Sequence, residues 1–175
     1  MGVEVAPAGA KAAVCETVRP VTILLVRHAR AGRRDRWVGD DRLRPLSKKG
    51  RAQAAALPSL LVPLLGAGPA RLLSSPWVRC METLEPLAAA LGAVVEPDET
   101  LAEGMGRDAV DAMGRWQKGT TVVLCTHGDV VGALLAYVDK SGVRVRPKGI
   151  PPKGSVWCFS GTDRIEAARY FAPPA

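Results

Sequence analysis

Two short apolar runs constrain this chain more than any other feature. Val21-Thr22-Ile23-Leu24-Leu25-Val26 and Thr120-Thr121-Val122-Val123-Leu124-Cys125 are uninterrupted and rich in β-branched residues. A strand with one wet face alternates apolar and polar residues. A run apolar on both faces belongs to a strand covered on both sides, the usual situation in a parallel sheet packed between helices. The segments around these runs agree. Ser47 is a candidate N-cap, with the helix read over Ala52 to Leu65 and Pro58 and Pro63 expected to kink or divide it. Arg71 to Ser74 reads as a strand. Ser75-Pro76 then offers an N-cap and a first-turn proline for a helix reaching Leu91. Ala93 to Glu96 reads as a strand, Val110 to Gln117 and Asp129 to Val138 as helices. Ser155 to Phe159 and Ile165 to Phe171 read as a terminal hairpin. The expectation is a three-layer α/β/α sandwich with a mostly parallel sheet.

At 175 residues, with 47% hydrophobic and 23% charged, the chain is long enough for one domain and too apolar for disorder. That domain is expected over residues 21–175, after a weakly ordered tail over residues 1–20. No apolar run approaches the roughly 18–20 residues of a membrane span. Glu4, Lys11 and Glu16 break any signal-peptide core, so a cytoplasmic protein is expected. Cys15, Cys80, Cys125 and Cys158 are too widely spaced for a zinc site, and no metal or cofactor is expected.

The net charge of +7 is local. Residues 27–51 carry ten basic side chains against Asp35, Asp40 and Asp41, whereas the rest of the chain balances at fourteen of each sign. Read alone, such a run is a solvated loop as readily as a pocket for an anion. The two histidines sharpen the choice. His28 ends the first apolar run and His127 follows the second, and ligands of open α/β sheets bind beyond the carboxyl ends of strands. A third strand end supplies Arg79, in the first turn of the following helix.

These blocks resemble those of the histidine phosphatase superfamily, the phosphoglycerate-mutase-like fold. Leu25-Val26-Arg27-His28-Ala29 is similar to its Arg-His-Gly/Ala signature. Pro45-Leu46-Ser47-Lys48-Lys49-Gly50-Arg51-Ala52-Gln53-Ala54 resembles its LTxxGxxQA helix start. Ser74-Ser75-Pro76-Trp77-Val78-Arg79 through Thr83 resembles SSPxxRxxxT, and Thr126-His127-Gly128 its second histidine block. The resemblance is closest to the SixA-type branch, which acts on phosphohistidine in proteins. It extends, through Trp37, residues 40–45 and residues 153–157, to the phosphatase domain of Nudix-fused proteins, although no Nudix box occurs here.

The resemblance implies a metal-independent phosphatase in which His28 is the nucleophile and forms a phosphohistidine. Arg27, Arg79 and His127 would hold the phosphoryl oxygens, with Arg30 and Arg33 as weaker candidates at the rim. Glu103 is the candidate general acid, with Glu99 and Asp108 as alternatives. The expected partner is a phosphohistidine protein or a phosphorylated small molecule such as a nucleotide or diphosphate, with no membrane and no specific nucleic acid. A non-catalytic basic binding module is the reading from another class, but such a module has no need of His28, Arg27, Arg79 and His127 together. Arg34, Arg42, Lys148 and Lys153 depend on loop conformation, and oligomeric state is not legible.

Overall fold

The computed structural model describes residues 21–66, 68–117 and 120–174, so the tail expected over residues 1–20 lies outside the described residues. Six strands form one sheet: β1 (Val21–Arg27), β2 (Ala70–Ser74), β3 (Val95–Pro97), β4 (Thr121–Thr126), β5 (Val156–Gly161) and β6 (Ala167–Phe171). Their order is β3-β2-β4-β1-β5-β6. The first four are mutually parallel, and Cys125 of β4 sits between Val26 of β1 and Ser74 of β2. The terminal hairpin adds β5 antiparallel to β1, and β6 to β5.

Alternate residues of the same strand feed different cores. Leu24 and Val26 face α1 (Lys48–Leu65) and α2 (Val78–Leu91), joining Leu57, Leu61, Leu84 and Leu87. Ile23 and Leu25 face α3 (Gly106–Trp116) and α4 (Gly128–Lys140), joining Met113, Trp116, Leu134 and Val138. This is the α/β/α sandwich expected from two-sided burial. No helix among the described residues is long and apolar enough to cross a membrane.

Several boundaries differ from expectation for identifiable reasons. Ser47 does cap α1, its hydroxyl accepting from Gly50 N at 3.1 Å. The helix therefore starts at Lys48, because its polar first turn carries no apolar periodicity. Pro58 and Pro63 lie inside a single helix rather than dividing it. An interior proline costs about 3 kcal/mol. Leu57, Leu61 and Leu65 are all buried, and about 1.5–3 kcal/mol for each buried leucine is an offset of the same order. Ser75 is not the N-cap of α2: the helix begins at Val78 behind Trp77, and the Ser75 side chain is turned toward the site instead.

One close approach ties the site to α1. A Cβ added at Gly50 would lie 1.9 Å from the carbonyl oxygen of Arg30, so helix and loop touch backbone to backbone. Gly50→Ala is expected to destabilise the fold by about 1–3 kcal/mol or more, read from the denaturant midpoint. An unchanged midpoint would mean that the loop does not bear on the helix.

Candidate active site

β1, β4 and β2 are neighbours, and each ends at one point of the sheet. The ladder continues one step past the strands, through His28 N to Thr126 O at 2.9 Å and Ser75 N to Cys125 O at 2.9 Å. It brings His28 and His127 together with ring centroids 5.3 Å apart. Both are buried, as is Arg79 beside them. They open on a cavity of about 760 Å³ whose lining includes Arg27, Arg79 and Glu103.

The orientation of His28 is fixed. Its Nδ1 donates to the Ala29 carbonyl at 2.7 Å, which leaves the Nε2 lone pair for the cavity. Burial, followed by the charges of His127, Arg79 and Lys153, lowers its pKa from 6.5 to about 3. The ring is therefore neutral and nucleophilic through the physiological range, and the base form is lost only as pH falls through about 3. The expected titration midpoint of His28 by NMR is near 3; a midpoint near 6.5 would contradict this environment.

The surrounding loop is held by the motif residues. Thr83 Oγ1 accepts from Ala29 N at 3.0 Å and donates to Arg79 O at 2.6 Å. Gln53 Oε1 accepts from Arg30 N at 3.1 Å. Gly154, at φ +83°, donates its N–H to Arg27 O at 3.0 Å and lies against the Gln53 amide. Gly128 allows the Arg27 guanidinium to lie on the start of α4, where a Cβ would stand 2.8 Å from Nη2.

The two arginines are anchored yet incompletely satisfied. Arg27 Nη1 donates to Pro151 O at 2.5 Å. Arg79 donates to Asp41 O at 2.8 Å and to Glu103 Oε2 at 2.8 Å, with its guanidinium 4.4 Å over the Trp77 ring. The Nε of each is buried with no hydrogen-bond partner among the described residues. Such orphan donors are costly in a packed interior and are common where an anion is to be held.

Ser75 Oγ lies 2.9 Å from His127 Nε2, and Trp77 packs edgewise on the same ring at 4.8 Å. The other face of His127 meets Arg79 at 3.5 Å and Glu103 at 3.8 Å. Glu103 thus lies in the site, whereas Glu99 and Asp108 are exposed and outside the cavity lining. Arg30 and Arg33 both line the cavity as exposed rim residues. Sequence reasoning missed Asp41, Arg44 and Ser75. Arg44, which is buried, and Arg34, which is exposed, grip the Asp41 carboxylate and hold it well below the ordinary carboxylate range. Only the charge excess of residues 27–51 pointed toward that network. No cluster of three or more metal-ligating side chains occurs among the described residues.

The family model of the histidine phosphatase superfamily (branch 1) matches residues 23–108. An 8-oxo-(d)GTP phosphatase of Mycolicibacterium smegmatis is 38% identical over 169 residues, covering 89% of this chain and 50% of the relative. The chain therefore spans about half the length of that curated relative. Among solved structures, the protein histidine phosphatase SixA complexed with tungstate has a TM-score of 0.66 at 18% identity, over 86% of this chain and 94% of that one. A mycobacterial glucosyl-3-phosphoglycerate phosphatase has a TM-score of 0.59 at 19% identity, over 90% and 100%. At these identities the two structures carry the fold alone.

Proposed function

The chain belongs to the histidine phosphatase superfamily, a phosphatase family, and we propose that it works through a phosphohistidine on His28 with a small phosphate ester as substrate. The observation that carries this reading is the His28 ring, held by Ala29 with Nε2 free beside Arg27, Arg79 and His127. Nε2 attacks phosphorus as the ester oxygen departs. The guanidinium forks of Arg27 and Arg79 take the charge on the phosphoryl oxygens, the main demand of this reaction. A carboxyl at the position of Glu103 supplies the leaving-group proton. Water then cleaves the N–P bond, releasing phosphate and restoring the imidazole.

Two further observations favour a nucleotide-like ester. Ile150, 62% exposed, gives the cavity an apolar wall for a flat leaving group. The relative named as an 8-oxo-(d)GTP phosphatase is similar over most of this chain. A phosphohistidine protein is the competing substrate, and a panel of phosphohistidine peptides, nucleotides and sugar phosphates separates the two. The mechanism itself is tested by acid and alkaline quenching with labelled substrate. An alkali-stable, acid-labile phosphoryl adduct is expected, and its absence during turnover would overturn the assignment.

A further inference from the structure

The cations around the cavity divide into two groups. Arg33, Arg34, Arg44 and Arg79 each hold a carboxylate of the protein, respectively Asp35, Asp41, Asp41 and Glu103. Of the remaining cations of the lining, Arg27 donates to Pro151 O, whereas Arg30 and Lys153 hold no carboxylate among the described residues and are hydrogen-bonded only through backbone atoms. Yet both are firmly placed, and by the same side chain. The buried amide of Gln53 accepts from Arg30 N at 3.1 Å and donates to Lys153 O at 3.4 Å. One amide thus ties together the backbones of two residues whose cationic side chains hold no carboxylate among the described residues.

Their position matters as much as their charge. Both line the main cavity, and both also line an adjoining hollow of about 380 Å³ that Lys49 borders. The anion-holding surface therefore extends past His28 in one direction. Burial and the neighbouring cations Arg27, Arg44 and Arg30 lower the proton affinity of Lys153, a sign that positive charge is crowded there without a counter-ion.

We propose that Arg30 and Lys153 form a second anion subsite that holds a non-transferred phosphoryl group, so that diphosphates are preferred over simple monoesters. The proposal deepens the reading above and rests on His28 as the nucleophile. In the reaction, His28 Nε2 bonds to the terminal phosphorus and the bond from that phosphorus to the bridging oxygen breaks. The electron pair stays on the bridging oxygen, which becomes a terminal oxygen of the departing monophosphate. Arg30 and Lys153 hold that new charge. Water then cleaves the N–P bond, and its protons are shared between phosphate and solvent.

The test is equilibrium binding to the full chain by calorimetry, with inorganic phosphate and the non-hydrolysable imidodiphosphate as probes. The wild type is expected to bind imidodiphosphate at least about tenfold more tightly than phosphate, equivalent to about 1.4 kcal/mol. In the Arg30→Gln/Lys153→Gln variant that ratio is expected to fall close to one. Each single variant is expected to lose part of it, and near-UV circular dichroism checks that the fold persists. A ratio near one in the wild type, or one unchanged in the double variant, overturns the proposal. So does a glutamate-rich peptide that binds more tightly than imidodiphosphate through the same two residues, because the surface would then serve a protein partner. Binding needs no turnover. Failure to find the phosphohistidine would sink the mechanism without disguising the outcome here.

Discussion

His28→Ala is expected to lower kcat/KM for an aryl phosphate by roughly four orders of magnitude or more, the scale set by removing a nucleophile from a concerted site. The size of the effect follows from the lack of a substitute. His127 has one ring nitrogen on Ser75 and the other facing Arg79 and Glu103. Cys80 is fully buried, its Sγ 3.5 Å from the same His127 nitrogen that faces Ser75. Among the described residues no thiol lines the cavity, and its other imidazole, His127, is engaged at both ring nitrogens. Steady-state kinetics on a homogeneous preparation measures the loss, and the labelled adduct is expected to disappear with it. Retention of the wild-type rate would end the case for a covalent His28 intermediate.

Arg79→Ala is expected to cost roughly a thousandfold in kcat/KM, at the upper end of the range for removing one oxyanion donor. The variant loses a buried cation of the cavity lining and removes one ion-pair partner from Glu103 and Asp41, leaving them to Arg34 and Arg44. Arg79→Lys is expected to recover little, because an ammonium cannot reproduce the fork that meets Asp41 O and Glu103 Oε2 together. The stability loss is expected to be smaller than the activity loss, since the Asp41 and Glu103 side chains are 27% and 32% exposed and water screens them. A variant within tenfold of wild type would show that Arg79 does not bear on the transition state.

The contrast between His127 and Asp41 shows what the sequence makes legible. His127 follows an apolar strand, and strands in a parallel sheet terminate at a common edge. Its meeting with His28 therefore follows from topology alone. Arg27 and Arg79 are legible for the same reason, as is the α/β/α layering. Asp41 is not, because it sits on a single turn of 3-10 helix whose place is decided by contacts with Arg44 of the same turn, Arg34 of the preceding loop and Arg79 of α2. Lys153 shares that difficulty, lying in a turn fixed by Gln53 from a helix a hundred residues earlier in the chain. Ser75 illustrates a different limit. Ser-Pro is a good helix start by local rules, but the side chain is drawn to His127 instead, and the helix starts later.

The sheet register bears on how such a protein can change over time. Because the His28 backbone is hydrogen-bonded to Thr126, the separation of the two histidines is a spacing between adjacent strands, and no loop can retune it. The cavity-lining groups Arg30, Glu103, Ile150 and Lys153 all stand on connecting segments outside the strands and α-helices. Chemistry and selectivity are thereby inherited through different parts of the architecture. Drift in the loops can reshape the cavity wall while the paired histidines stay as fixed as the ladder beneath them.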